Sequence, residues 1–482
     1  MLMKNVSILD EAKNAAITLG ERIGNVFSPT IRLGVTGLSR AGKTVFITSL
    51  VHNLLHGGAL PLFEPVRSGR LRRAWLEPQP DAHIPRFAYE DHVEALTAGE
   101  DRHWPESTRQ LSQLRLTLDY EPTGLAGRYL RGGTVHMDIV DYPGEWLLDL
   151  PLLDMDYAEW SSSVIETAGA TGRSLHAAEW LELASSLDPA APLEEETARR
   201  LFRLYRDYLK ACKAHPGHFS ALQPGRFLMP GDLEGSPLLT FAPLPPPQER
   251  PAAGSLWREM ERRYKAYVAH VARPFFFDHF ARIDRQIVLV DTLTALNEGA
   301  AAVADLRSAL ASVFACFRTG DSGLFTRRAG RILFAATKAD LIHHTSHERL
   351  RGILALLVEQ AAKRAEYSGA RIRTEAMAAI RATREGTARH DGEELPVIIG
   401  IPEKGEEIGG EIFDGRTEAA IFPGDLPENP RKALDGSLEG RLKFVRFRPP
   451  LIRPPRPLEK ADTFPHVRLD AALQFLLGED LA

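Results

Sequence analysis

Short apolar runs alternate with segments of helical periodicity along most of the 482 residues. The runs that predict strands occupy 31–36, 114–120, 134–140, 286–291, 331–336, 395–399 and 442–447. Apolar residues recur at helical spacing in 45–54, 87–99, 151–168, 191–215, 254–281, 298–317 and 346–366. This alternation predicts an α/β fold with a doubly wound, mostly parallel sheet. A Gly-rich turn joins 114–120 to 134–140, so we expect this pair to be antiparallel, and we expect 57–86 to be a surface excursion.

Composition sets bounds on this picture. The chain has 44% hydrophobic and 26% charged residues, which are globular values, and its net charge of −5 gives no specific signal for nucleic-acid binding. We expect no transmembrane segment, because no run of about 18 apolar residues occurs, and no secretory signal. Two cysteines, Cys212 and Cys316, provide neither a disulfide framework nor a four-sulfur metal site. A cytoplasmic location is therefore expected.

The most specific motif lies between the first strand and the first helix. Residues 37–44 read GLSRAGKT, which fits the P-loop pattern G-x-x-x-x-G-K-[ST]. Glycines let backbone N–H groups approach phosphate oxygens, and the helix N-terminus favours negative charge. We predict that Lys43 contacts the β- and γ-phosphates as a catalytic residue and that Thr44 binds Mg²⁺. The other predicted nucleotide-binding positions here are Gly37, Ser39, Arg40, Ala41, Gly42 and Val45.

Two aspartates at strand ends compete for the role of the second acidic element. Asp141 opens a D-x-x-G arrangement, in which the carboxylate holds Mg²⁺ through water and the N–H of Gly144 senses the γ-phosphate. Asp291 also follows an apolar strand and is the alternative, as in a Walker-B motif. The antiparallel strand predicted before Asp141 and the glycine after it favour Asp141.

A candidate base-recognition motif follows the strand 331–336. Residues 337–340 read TKAD, which matches [NT]-K-x-D, and we predict that Thr337, Lys338 and Asp340 bind the base. Asp340 would accept hydrogen bonds from guanine N1–H and the 2-amino group, while the Lys338 stem covers the purine face. Adenine offers neither donor, and polar discrimination of this kind can reach roughly 10⁴–10⁵-fold. The motif therefore predicts guanine binding, with a helix-capping aspartate as the alternative.

Four further positions are candidates with plain structural alternatives. Thr108 precedes the antiparallel strand, where a switch hydroxyl would bind Mg²⁺ in the triphosphate state, and a strand-start hydroxyl is its alternative. Glu145 follows Gly144, where a water-positioning side chain would lie, although a carboxylate there faces phosphate charge. Ala382 and Thr383 would form a loop that covers the guanine, unless a helix continues through them.

The spacing of these motifs predicts an insertion. Two compact βαβ units need roughly 30 residues each, far fewer than separate the D-x-x-G and T-K-x-D motifs. The surplus coincides with helical patterns between 150 and 281. We therefore expect 1–149 and 282–482 to form the two halves of a nucleotide-binding domain, the second with a C-terminal extension. Residues 150–281 would form a helical insertion domain.

In combination, these residues resemble the YcjX-like family of bacterial P-loop NTPases. The resemblance rests on GLSRAGKT with the following VFITSL, WPEST at 104–108, DYPGEWL at 141–147, TKAD at 337–340 and PHVRLD at 465–470. It implies a stress-linked cytoplasmic NTPase with a Ras-like domain, a helical insertion and a link to membrane-stress (phage-shock) responses. An inner-membrane stress-response protein is a candidate partner, and peripheral attachment to that membrane a candidate location. The family is often labelled ATPase-like, and Thr337 and Glu145 replace the Asn and Gln of a standard GTPase.

The main functional hypothesis is a guanine-nucleotide switch that hydrolyses GTP to GDP slowly with Mg²⁺. In this hypothesis the helical region changes its pose with the nucleotide state. One rival is an ATPase in which Asp291 is the Walker-B acid and 337–340 is structural. The other rival is a nucleotide-gated scaffold without useful turnover.

Overall fold

The computed structural model describes residues 29–482 except 38–40, 107–109, 124–132, 171, 216–221, 250, 316–328, 368, 391 and 454–461. The strands of its main sheet are β1 (Thr30–Gly37), β2 (Leu71–Glu77), β3 (Ser112–Tyr120), β4 (Thr134–Asp141), β5 (Arg285–Val290), β6 (Arg331–Ala336) and β7 (Arg371–Ala376). Within the described residues this sheet has seven strands in the order β2-β3-β4-β1-β5-β6-β7. The β2–β3 and β3–β4 pairs are antiparallel and the other four are parallel. The predicted sheet type and its antiparallel pair are confirmed.

Helices surround the sheet and also form a separate group. The α-helices are α1 (Lys43–Leu55), α2 (Glu64–Arg67), α3 (Tyr89–Thr97), α4 (Tyr157–Ala168), α5 (Ser174–Ser186), α6 (Glu195–Ala214), α7 (Gly225–Leu228), α8 (Leu256–Tyr267), α9 (Thr292–Glu298), α10 (Ala300–Ala315), α11 (His347–Leu357), α12 (Glu359–Tyr367) and α13 (Leu469–Leu477). Among the described helices, none has both the length and the apolar character needed to cross a membrane.

The central strands contribute to two different cores. On β5, Val288 and Val290 belong to one buried cluster, whereas Ile287 and Leu289 belong to another. Successive strand residues point to opposite faces of a sheet, so both faces are covered. Residues of α10 and α11 pack on the first face, and residues of α1 and α13 pack on the second. Helices on both faces confirm the predicted doubly wound α/β fold.

Helices α4 to α8 share an apolar cluster of their own. Its large side chains are mostly aromatic, and the rings of Trp160 and Tyr264 stack with centroids 5.1 Å apart. A 3₁₀ helix, Gly144–Asp154, joins β4 to this group. The helices between β4 and β5 therefore bury their apolar faces against one another. We call α4 to α8 the helical region, and the domain boundaries 149/150 and 281/282 remain a prediction.

Four predicted helices are interrupted, and one of them, 346–366, is divided at Val358 between α11 and α12. The segment 151–168 is 3₁₀ up to Asp154, and a new helix begins at Tyr157, capped by reciprocal hydrogen bonds between Asp156 and Glu159. Beyond α8, the segment 254–281 continues as π-helical turns, Val268–Ala272 and Phe275–His279. Gly299, with a φ of +98°, separates α9 from α10 inside the predicted helix 298–317.

The two edge strands of the main sheet were not predicted. β2 lies inside 57–86, so the expectation of a surface excursion was wrong for this part. Arg72 and Arg73 on β2 are exposed, as are Arg371 and Arg373 on β7. An edge strand buries less apolar surface than a central strand and tolerates charge. The exposed arginines therefore interrupt the apolar run of each edge strand in the sequence.

The C-terminal third contains a smaller antiparallel sheet, formed by β8 (Arg384–His390), β9 (Glu393–Gly400) and β12 (Ala419–Ile421) in the order β12-β9-β8. A short hairpin, β10 (Glu407–Ile408) with β11 (Glu411–Ile412), lies between them in sequence. The strand predicted at 395–399 is therefore real but lies outside the main sheet. The strand predicted at 442–447 was wrong, because its described pairing is a single bridge between Phe447 and Pro402. Its alternation instead reflects the burial of Val445 and Phe447.

Candidate nucleotide-binding site

The P-loop joins the end of β1 to the start of α1, as predicted. Gly42 has a φ of +84°, a left-handed conformation that glycine adopts at little cost. The buried Lys43 donates a hydrogen bond of 2.8 Å from Nζ to the carbonyl oxygen of Gly37. An ammonium has three N–H donors, so it can brace the loop and also reach a phosphate oxygen. The predicted residues Ser39 and Arg40 lie outside the described residues.

Oxygen ligands suited to Mg²⁺ lie at the start of α1 and at the end of β4. Thr44 is buried and donates from Oγ1 to the carbonyl oxygen of Glu106 at 3.3 Å. Asp141 is buried and lies in register with Val35, near the end of β1. Hydroxyl and carboxylate oxygens are ligands that hard cations prefer, so this donor set fits Mg²⁺. Thr108 lies outside the described residues, although nearby Glu106 contacts Thr44.

The alternative acid, Asp291, is engaged elsewhere. It follows β5, which flanks β1 on the side opposite β4. Its carboxylate accepts a hydrogen bond of 3.3 Å from the N–H of Thr294, so it caps α9. It also forms an ion pair with Lys338 of the T-K-x-D motif. These contacts place Asp291 beside the base-recognition motif.

Asp340 lies in direct contact with the 382–383 segment. The Asp340 carboxylate accepts a hydrogen bond of 2.9 Å from the N–H of Ala382, and the Thr383 hydroxyl donates to the Asp340 carbonyl oxygen at 2.5 Å. Thr337 Oγ1 donates to the Val290 carbonyl oxygen at 3.4 Å. Burial raises the pKa of Asp340 to about 6, although the Ala382 N–H opposes this shift. A group poised in this way is typical of functional sites.

One cavity of about 1190 Å³ extends between the P-loop and the T-K-x-D motif. The predicted site residues that line it are Ala41, Gly42, Lys43, Thr44, Val45, Glu145, Thr337, Lys338, Asp340 and Ala382. Gly37, Asp141, Gly144 and Thr383, which the structure also describes, lie outside this lining. The volume exceeds that of a typical small-molecule site of roughly 300–1,000 Å³, so a nucleotide has room in it.

Two ammonium groups act on the carboxylate of Glu145. This side chain is buried, and its Oε1 lies 2.8 Å from Nζ of Lys213. Burial alone would raise the pKa of Glu145, but Lys213 and Lys43 together bring it below its ordinary value. Lys213 belongs to α6 and also lines the cavity. Sequence reasoning missed Lys213, because periodicity within α6 does not reveal which distant segment one of its lysines meets.

The helical region also holds the backbone after Gly144. The N–H of Gly225 donates to Asp149 at 2.7 Å, and the Tyr267 hydroxyl donates to the same carboxyl group at 2.6 Å. A side chain at position 225 would clash, since a Cβ there would lie 1.8 Å from the carbonyl oxygen of Glu145. Burial raises the pKa of Asp149 to about 6, against the effect of these hydrogen bonds. The segment 145–149 is therefore packed against α7 and α8.

Comparison with known proteins supports the same picture. The family model described as "YcjX-like family, DUF463" matches residues 31–481. A Ras-like GTPase YcjX of Escherichia coli (strain K12) is 37% identical over 469 residues, which cover 94% of this chain and 96% of the relative. A Ras-like GTPase YcjX of Shewanella oneidensis is 36% identical over 474 residues, which cover 94% of each chain. With this coverage and identity, the chain belongs to the YcjX-like family.

Proposed function

We propose that this protein binds guanine nucleotides and hydrolyses GTP to GDP with Mg²⁺ as a nucleotide-dependent switch. One observation carries the proposal: a single cavity has Lys43 and Thr44 at one end and Asp340, backed by the N–H of Ala382, at the other. A P-loop accepts any nucleoside triphosphate, but the Asp340 end offers an acceptor for guanine. The name Ras-like GTPase, given to both relatives, supports the same activity.

At the phosphate end, the proposed roles follow from the donors that the chain provides. The P-loop backbone and Lys43 would hold the β- and γ-phosphates. Mg²⁺ would be held by Thr44 and Asp141, and in the triphosphate state also by Thr108. When bound, the cation neutralises phosphate charge. The N–H of Gly144 would report whether a γ-phosphate is present. Ser39 and Arg40 would complete the loop around the phosphates.

At the base end, Asp340 would accept the two donors on the guanine edge, while Lys338 and Thr337 hold the segment in place. The backbone of Lys338 has a left-handed conformation, with a φ of +60°, and its ammonium forms an ion pair with Asp291. The ion pair would direct the lysine stem across the purine face. Ala382 and Thr383 would keep Asp340 in position through the two hydrogen bonds described above.

Hydrolysis is proposed to be slow. Glu145 stands where a water-positioning glutamine is usual, and its lowered pKa keeps it ionised at neutral pH. A carboxylate accepts a hydrogen bond from the attacking water but repels the negative γ-phosphate. We extend the proposal to a membrane-stress response, with an inner-membrane stress-response protein as partner, on the family resemblance.

Exchange of one atom in the base-recognition side chain tests the guanine preference. Asp340→Asn keeps an acceptor for the Ala382 N–H but replaces a guanine acceptor with an amide donor. We expect the parent to prefer GTP over ATP. The variant should lose GTP affinity by at least about 10²-fold and gain affinity for xanthosine triphosphate, whose C2 carbonyl accepts a hydrogen bond. Asp291→Asn is the matched control and should retain the preference for GTP.

Two outcomes would contradict the proposal. A parent that prefers ATP, with no change of preference in Asp340→Asn, would favour the ATPase. Normal GTP binding without multiple-turnover phosphate release above that of Lys43→Ala would favour the scaffold without turnover. Calorimetric titration and a phosphate-release assay on the full chain distinguish these cases.

A further inference from the structure

The helical region supplies a cation to the phosphate end of the cavity. Lys213 lies near the end of α6 and lines the same cavity as Lys43 and Thr44. We propose that Lys213 binds the γ-phosphate of the nucleotide from within the same chain, a contact that a diphosphate lacks. The inference rests on the proposed function, because it requires a nucleoside triphosphate in this cavity.

The first argument is position. Glu145 directly follows Gly144, the residue proposed to sense the γ-phosphate, and Lys213 Nζ lies 2.8 Å from Glu145 Oε1. The main chain of Glu145 is fixed from the other side, because α7 packs so closely that Gly225 has no room for a Cβ. The ammonium of Lys213 is therefore placed beside the γ-phosphate sensor by a packed segment.

The second argument is charge. Lys43 and Lys213 both lower the pKa of Glu145 against its burial, so both act on the same carboxylate. The P-loop lysine reaches the β- and γ-phosphates in proteins with this motif. Lys213 lines the same cavity as Lys43 and acts on the same carboxylate, so it lies in the same part of that cavity. A γ-phosphate that arrives there brings more negative charge close to the buried carboxylate of Glu145, and the two repel. Lys213 can offset this repulsion.

The third argument is donor capacity. The side chain of Lys213 is 28% exposed, whereas that of Glu145 is 9% exposed. A lysine ammonium has three N–H donors on a flexible stem, so it can keep its contact with Glu145 and donate to a phosphate oxygen as well. In this arrangement Glu145 is also a positioning residue that aims Lys213 at the γ-phosphate. The helical region would thus distinguish a triphosphate from a diphosphate by a direct contact.

The experiment compares GDP with a non-hydrolysable GTP analogue on the full chain. Lys213→Met removes the charge and keeps most of the stem. We expect it to weaken binding of the analogue by about tenfold or more and to leave GDP affinity within about twofold. With GTP itself as the substrate, it should lower the single-turnover rate of hydrolysis on the order of 10²-fold. Lys265→Met is the matched control, because Lys265 forms an exposed ion pair with Glu261 on α8 in the same helical region.

A second variant separates phosphate binding from simple neutralisation of Glu145. If Lys213 only balances the Glu145 charge, adding Lys213→Met to Glu145→Gln should leave the ratio of analogue to GDP affinity as it is in Glu145→Gln alone, and the proposal is overturned. If Lys213 contacts the γ-phosphate, the double variant should have a lower ratio than Glu145→Gln alone. An unchanged ratio in Lys213→Met, with GTP binding intact, overturns this inference alone. Failure of the parent to bind guanine nucleotides would instead overturn the proposed function as well.

Discussion

The two ends of the cavity are joined to the rest of the molecule in different ways. At the base end, the T-K-x-D motif and the 382–383 segment come after β6 and β7, which are neighbouring strands in parallel register. Two hydrogen bonds connect Asp340 to that segment. At the phosphate end, Glu145 meets Lys213, which is 68 residues away in sequence and belongs to the helical region.

In the proposed function, this difference would separate recognition of the base from sensing of the γ-phosphate. Strand register places the base end, so its contacts need no movement of the helical region to form. The contacts of the phosphate end are ion pairs and hydrogen bonds between two regions, and a change of phosphate charge would alter their balance. We therefore expect changes at the base end to affect GTP and GDP equally. Changes at the Glu145–Lys213 contact should alter the ratio of the two affinities.

The largest expected effect is the loss of the P-loop ammonium. Lys43→Ala should weaken the binding of both GTP and GDP by at least about 10²-fold, because a buried charge-assisted contact to the phosphates is lost. Titration with fluorescent nucleotides measures both affinities, and circular dichroism checks the fold. Lys265→Ala, which breaks an exposed ion pair, is the control. Nucleotide binding equal to that of the parent would refute the assignment of the P-loop.

The second prediction concerns acid pH at the base end. In the role proposed for it, Asp340 binds guanine in its ionised form, and burial raises the pKa of this group to about 6. The affinity for GTP and for GDP should therefore fall as the pH falls through 6, by about tenfold per pH unit below it. Calorimetry between pH 7 and pH 5 measures this loss. The same titration of Asp340→Asn measures how much of the pH dependence comes from protonation of the nucleotide phosphates. If the variant shows the same pH dependence as the parent, the role proposed for Asp340 is contradicted.

A smaller effect should follow from removing one of the hydrogen bonds between the 382–383 segment and Asp340. Thr383→Val removes the hydroxyl that donates to the Asp340 carbonyl oxygen. One hydrogen bond contributes about 0.5–1.5 kcal/mol, so we expect both nucleotides to bind about 2- to 12-fold more weakly at an unchanged ratio. Thr387→Val, an exposed threonine on nearby β8, is the control. A change in the GTP-to-GDP ratio would show that the base end takes part in sensing.

The smallest expected effect is a change in the protection of backbone amides from hydrogen exchange, without a large change in nucleotide affinity. Hydrogen exchange should differ between GTP-analogue and GDP states within 145–170 and extend into the helical region. Asp149→Ala removes the acceptor for the Gly225 N–H and the Tyr267 hydroxyl, so it should confine the difference to the P-loop and the 3₁₀ segment. A parent whose exchange differs only around 37–48 would make the helical region a passive attachment.

The motifs could be predicted because each is contiguous. The P-loop, the D-x-x-G and the T-K-x-D depend on residues within eight positions, and their strand and helix contexts follow from local periodicity. The central strands were also predictable, since burial on both faces gives continuous apolar runs. The edge strands β2 and β7 were missed because their exposed arginines interrupt that pattern. Between Asp141 and Asp291, local pattern favoured Asp141 but left the alternative open.

The sequence by itself determined the α/β class, the family resemblance and the residues of the P-loop, because these features are written in short, ordered patterns. Only the tertiary structure decided which distant groups meet. It paired Asp291 with Lys338, set Asp340 against Ala382 and brought Lys213 to Glu145. Such contacts depend on how whole helices and strands pack, and periodicity along one segment carries no information about its partner. The physical reason is that a side chain's neighbours in space are chosen by the burial of many others.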